Sequence, residues 1–259
     1  MTRKYGVLAA TACVVAVLGL TGCGDDSDSK SDKASQEPKN ELADLSAQQI
    51  SDKAKEALLG ATSLRMKMDQ GTGAESLKIN LALDKKGNCN GTIGDGQGAS
   101  SELIKADTKV WMKPNAKFWT QPDVGGKEGE AAAELFKDRY IHGTTDDEML
   151  KDNADMCNLS AMQASIKSDS DTKDKLTKGE PTKLGSQLVV PLTGPSDGGG
   201  KQTMYVAATG KPYPLKISVV GGNEPGTVEL NDYEKPVDTT PPPASEVIDI
   251  AKFEEQFGK

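Results

Sequence analysis

One histidine, His142, is all the imidazole in this chain, and aromatic residues make up only 4% of it. The first scarcity argues against a His-based nucleophilic triad. The second, with 36% apolar residues in 259, is low for a domain of this size and fits a thin β-layer better than a thick core. Basic side chains are outnumbered, 31 against 39 acidic. No basic stripe is left for a phosphate backbone, so nucleic acid is excluded as a partner, as is electrostatic docking on anionic lipid. Walker loop, dinucleotide fingerprint, HExxH and nucleophile elbow are all missing. The acidic start of 24–40 lacks EF-hand spacing and its glycine. In Asp169-Ser170-Asp171-Thr172-Lys173-Asp174, Lys173 stands where a third oxygen ligand belongs. No metal, no cofactor and no enzymatic activity are therefore expected.

What the chain does have begins at residue 3. Arg3 and Lys4 precede an almost unbroken apolar run over 6–20, too short to span a bilayer comfortably, and small residues then lead to Cys23. Residues 1–22 read as a secretory signal peptide. The ending Leu20-Thr21-Gly22-Cys23 is similar to the lipobox of bacterial lipoproteins, in which the cysteine receives a diacylglyceryl thioether and becomes the first residue of the mature chain. Two acyl chains anchor a protein stably where one holds it only reversibly. The expected location is the cell membrane, lipid-anchored on its extracytoplasmic face, with the membrane as partner through acylated Cys23. No later stretch approaches the roughly 20 apolar residues of a transmembrane helix.

Residues 23–44 then supply the lipidated cysteine and a flexible polar linker. Its stretch over 24–40 has no apolar periodicity and would span roughly 20–25 Å on average. The folded domain is expected over 45–259. Ser46 and Gln49 form a capping-box pair, with Leu45 and Ile50 at the staple positions, and Ile50, Ala54, Ala57 and Leu58 share one face. Those signals predict a helix over 47–59. The period then changes to two. Leu64, Met66 and Met68 alternate with Arg65 and Lys67, and Leu77, Ile79, Leu81 and Leu83 alternate with polar residues. Further strands are predicted over 89–93, 101–106, 109–113, 118–120 and 138–142, then 181–184, 187–192, 203–207, 215–220 and 227–231. Helical patterns fall around 131–136, 149–150, 159–166 and 245–257. Strands this close together pair antiparallel through tight turns.

In order along the chain, the lipobox, the helix feeding a hairpin, Gly87-Asn88-Cys89-Asn90-Gly91-Thr92, the segment from Tyr205 to Ile217 and Leu230-Asn231-Asp232-Tyr233 carry a family resemblance. The chain resembles the actinobacterial lipoproteins grouped around LppX and LprG, which share the half-barrel of the LolA lipoprotein carrier. The resemblance implies an α+β fold: a strongly curved antiparallel sheet, unclosed, with helices covering its concave apolar face. It implies also that this face holds acyl chains of lipids carried across the envelope. No short ligand motif of the family carries over to particular residues.

Cys13 leaves with the signal peptide and Cys23 is acylated. Cys89 and Cys157 remain in an oxidising compartment, and a disulfide between them is expected, the alternative being two separate buried thiols. A Cys89–His142 dyad is the less simple fate. The dry face of the strand at 77–83 must be covered, and the predicted helices carry few large apolar residues. An incompletely covered cavity follows, walled by Met66, Met68, Leu77, Ile79, Leu81 and Leu83 with Ile217 from the second half. The leading reading is a non-catalytic, membrane-anchored binder or carrier of a lipid-like ligand. The rival is an envelope sensor or protein-interaction module on the same half-barrel.

Overall fold

The computed structural model describes residues 39–73, 76–121, 129–168 and 175–257. The expected signal peptide over 1–22 and the expected lipidation site, Cys23, lie outside them. Packing starts before residue 45: Leu42 is buried, and the Glu41 amide donates to the Ala208 carbonyl at 2.9 Å. A branched apolar side chain within reach of the sheet is enough to draw the last turn of the linker into the fold. Lys178 fixes that turn, its Nζ donating to the carbonyls of Leu42, Ala43 and Leu45 at 3.0, 2.5 and 2.9 Å.

Helix α1 (Ala47–Gly60) starts as its sequence dictates, with the reciprocal Ser46–Gln49 capping box in place. Ile50, Ala54, Ala57 and Leu58 are its buried face. The strands follow: β1 (Ser63–Gln70), β2 (Leu77–Asp84), β3 (Cys89–Asp95), β4 (Ser100–Ala106) and β5 (Lys109–Pro114). Then come α2 (Ala116–Trp119), α3 (Gly129–Leu135), β6 (Tyr140–Thr144), α4 (Glu148–Asp155) and α5 (Leu159–Ser168). The second half supplies β7 (Thr177–Lys178), β8 (Thr182–Leu184), β9 (Gln187–Pro195), β10 (Lys201–Ala207), β11 (Pro214–Val220) and β12 (Gly226–Asn231). The chain ends in β13 (Val247–Asp249) and α6 (Ile250–Phe257).

Among the described residues all 13 strands join one sheet, in the order β13-β6-β5-β4-β3-β2-β1-β12-β11-β10-β9-β7, with β8 also on β9. The two ends of that order do not meet, so the sheet is an unclosed half-barrel, α+β as expected. It is not wholly antiparallel. β13 runs parallel to β6, Val247 to Asp249 matching Tyr140 to His142. The span 245–257, which reads as one helix by apolar spacing, is thus divided. Val247 and Ile248 are β-branched and meet an open sheet edge, so pairing outcompetes the helix until Ile250. The strand expected over 118–120 is likewise α2, because the Asn115 side chain caps it by accepting from the Phe118 amide at 3.0 Å.

The helices lie over one face, called inner here. Leu150, Ala154, Leu159, Trp119, Phe136 and Ile250 join Leu64, Leu81, Leu83, Leu103, Met112 and Ile141 of the sheet in the main core. α1 covers the second half through Ile50 and Ala54 against Val190, Leu192 and Val206. Each large side chain so buried contributes about 1.5–3 kcal/mol. Gly91 shows how close the strands come: a Cβ there would stand 1.9 Å from the Asn80 carbonyl oxygen.

Candidate ligand site on the inner face

The pairing register converts sequence alternation into rows across the inner face. Cys89 stands opposite Leu83 and Leu83 opposite Leu64. The next row runs Leu81, Met66, Leu230. The third runs Ile93, Ile79, Met68, Val228, Ile217, Met204 and Leu192. The fourth runs Leu77, Gln70, Gly226, Val219 and Gln202. Met66, Met68, Leu77, Ile79, Leu81, Leu83 and Ile217 therefore share a single surface, from strands far apart in the sequence.

Burial falls along that surface. Leu83, Leu64, Leu81 and Leu230 are at most 3% exposed. Ile79 is at 8%, while Met66, Met68, Leu77, Val228, Ile217, Val219 and Gln70 are only half-buried. The helices roof one end of the sheet and leave apolar side chains partly uncovered toward the other. A pocket of about 210 Å³ opens there, with Ile217, Val219 and Val228 as apolar floor and Gln70, Gln202 and Glu224 at its polar margin. The Ser196 hydroxyl also lines it, buried and without a hydrogen-bond partner. Of these, Val228 is legible in the sequence by its alternation with Leu230. Gln70 continues Leu64, Met66 and Met68 at period two and is the polar end of the same stripe.

The roofed end is fastened by chemistry. Cys89 and Cys157 form a disulfide, Cα atoms 5.3 Å apart, joining the start of β3 to the corner between α4 and α5. The thiol a Cys89–His142 dyad would need is thus consumed. Gln163 reaches from α5 to the carbonyls of Leu58 and Ala61 at 2.8 and 2.9 Å. Beside it Tyr213 and Tyr233 stack with centroids 3.8 Å apart, and the Tyr233 hydroxyl donates to the Pro214 carbonyl at 2.6 Å. Glu234 accepts from the Thr62 hydroxyl and amide and from the Tyr213 hydroxyl, with Lys211 3.6 Å away. Those donors, Thr62 foremost, hold the Glu234 carboxyl down at about 2.

His142 faces away from the inner surface. Its ring lies 5.0 Å from that of Trp111, and its Nδ1 is 3.8 Å from Asp249 of β13. Among the described residues no group of three or more His, Cys, Asp or Glu is placed to hold a metal ion, and no helix is long and apolar enough to cross a membrane.

Fold and site together define an open, half-barrel-like α+β sheet with one helix-roofed apolar face. Among solved structures it is similar to LprF from Mycobacterium bovis, at 14% identity and a TM-score of 0.49, over 76% of this chain and 96% of that one. It is similar also to the lipoprotein LppX of Mycobacterium tuberculosis, at 12% identity and a TM-score of 0.45, over 76% of this chain and 100% of that one. A LolA-superfamily protein from Nitrosomonas europaea follows at 10% identity and a TM-score of 0.24, over 76% and 96% of the two chains. No protein-family model matches the sequence, and no curated protein sequence is similar to it.

Proposed function

We propose that this chain is a lipid-anchored protein of the extracytoplasmic face of the cell membrane that binds and carries a hydrophobic, lipid-like ligand, without catalysis. The observation that carries the reading is the gradient of burial along the inner face, from closed core at Leu83 to half-covered apolar side chains at Met68, Leu77 and Ile217. A sheet face left partly uncovered gains from any apolar occupant, about 0.8 kcal/mol for each methylene buried, before ordering costs. The two methionines of β1 suit such a wall because their unbranched side chains adapt to irregular contents. Met66, Met68, Leu77, Ile79, Leu81, Leu83 and Ile217 form the wall. Cys23, carrying two acyl chains, holds the protein to its membrane.

Native mass spectrometry of protein purified from its own membranes tests the reading directly, because a carrier retains lipid through gentle extraction. Ile217→Trp should fill the open pocket, keep the melting temperature within about 2 °C, and lose a fluorescent fatty-acyl probe. No co-purifying lipid and no probe binding by the unaltered protein would sink the carrier and leave the interaction module. Cys23→Ala should release the protein from the membrane fraction, and unchanged retention would count against the anchor.

A further inference from the structure

The pocket at the uncovered end of the inner face has a polar chemistry that its apolar floor does not explain. Ser196 follows the last residue of β9, in the turn before β10. Its backbone is satisfied: the amide donates to the Gly200 carbonyl at 3.0 Å, and the carbonyl accepts from the Gly199 amide at 3.2 Å. Its hydroxyl is not. That oxygen is buried, belongs to the pocket lining and has no hydrogen-bond partner. Gly200 leaves the room it occupies, since a Cβ there would stand 2.7 Å from the Ser196 Oγ. A buried hydroxyl left unpaired is costly unless an occupant of the pocket meets it.

Charge and hydrogen-bonding capacity narrow the occupant. No Lys, Arg or His lines the pocket, and its one charged group is the carboxylate of Glu224, exposed at the rim. A phosphate or carboxylate head would give up hydration there with no cation to replace it. Glu224 can only accept, and it already takes an N–H from Gln70 at 3.1 Å. Gln202, half-buried across the row from Gln70, brings an amide that both donates and accepts. The space is compact, about 210 Å³. Such a lining suits a head that brings hydroxyl donors and no charge.

We propose, resting on the carrier reading above, that this pocket seats the polar head of the ligand. It selects an uncharged, glycerol-sized head with free hydroxyls, as in a monoacylglycerol, over fatty acids and acylglycerol phosphates. Ser196 and Gln202 meet the hydroxyl oxygens of the head, and Glu224 accepts from its O–H groups. The acyl chain continues over Ile217, Val228 and Met68 toward the roofed end.

Displacement of an uncharged fluorescent acyl probe from the intact protein tests it. The competitors are a monoacylglycerol, the fatty acid and the acylglycerol phosphate of one chain length, at about pH 8, where both acids are ionised. The monoacylglycerol should displace the probe at about tenfold lower concentration than either anion. Ser196→Ala should weaken the monoacylglycerol about tenfold. It should leave the probe's own binding and the melting temperature unchanged, because the hydroxyl it removes holds nothing in the fold. Gln202→Leu should narrow the gap between the monoacylglycerol and the two anions. Equal displacement by all three competitors overturns the head assignment and leaves the carrier standing. So does Ser196→Ala protein that binds the monoacylglycerol as before, or one whose melting temperature falls, since the hydroxyl would then be structural. No probe binding by the unaltered protein overturns the carrier reading itself, and the head assignment with it.

Discussion

The two ends of the half-barrel are built from the same strands and are held in opposite ways. At the end where β1 begins, a disulfide, a tyrosine stack, the Glu234 cluster and the Gln163 side chain tie α1, α5, β3 and β12 together. At the other, the strands turn through glycines with positive φ, among them Gly71, Gly98, Gly198, Gly199, Gly221 and Gly222. Among the described residues a single side-chain hydrogen bond, Gln70 to Glu224 at 3.1 Å, links the tips of β1 and β12 there. The pocket on the inner face opens toward that glycine-rich end, and so do a cavity of about 660 Å³ beside Ser100, Pro114 and α3 and one of about 570 Å³ on the outer face beside Gly71 and Pro225. The comparison teaches that rigidity and room have been separated along the strand direction. One end supplies stability, the other supplies space.

The sharpest way to break that contrast is at the disulfide. Replacing Cys89 and Cys157 by Ala frees a crosslink between residues 68 apart, which in the chain-entropy model is worth about 4 kcal/mol. A fall in melting temperature of about 8–16 °C is expected by calorimetry. Next, one strand position can be set against another on the same face. Leu81→Ala, fully buried, should cost about 2–5 kcal/mol, whereas Met68→Ala, half-buried, should cost about 1 kcal/mol yet weaken lipid-probe binding more. Equal destabilisation at the two positions would erase the gradient from which the function is read.

The smallest effect belongs to Glu234. Its carboxyl titrates at about 2 in the folded protein and nearer 4.5 when unfolded, so the unfolded chain takes up the proton first on acidification. The stability it contributes is complete above about pH 5 and is lost as pH falls through about 2. Glu234→Gln should cost about 1 kcal/mol at pH 7, since the side chain is partly exposed, and should flatten the decline of melting temperature with acid between those limits. An unchanged acid profile would mean that Thr62 and Tyr213 hold the carboxylate only loosely.

Period-two alternation makes the inner face legible from residue types alone: Leu64 through Met68 and Leu77 through Leu83 read as strands, and both lie where alternation places them. The cap of α1 is equally plain, since Ser46 and Gln49 act locally. Cysteine arithmetic finds the disulfide because only Cys89 and Cys157 fall within the expected folded domain. What stays hidden depends on contacts distant in sequence. Nothing local distinguishes Val247-Ile248-Asp249 from the start of a helix until β6 offers its edge, and Phe118 and Trp119 look like strand until Asn115 caps them. Nor does alternation say how far a roof extends: Leu81 and Leu77 are equivalent in sequence, and only the position of the helices makes one core and the other rim.

Lys178 has a mechanical consequence. Tension arriving along the backbone from residue 39 meets the Glu41 amide at Ala208 and then three carbonyls gripped by one ammonium, before it reaches the first turn of α1. That ammonium stands on β7, which is paired with β9, so the load passes sideways into the sheet instead of peeling the helix off the second half of the core. The protein carries its own strain relief, and α1 can keep its seat while the chain in front of it is pulled.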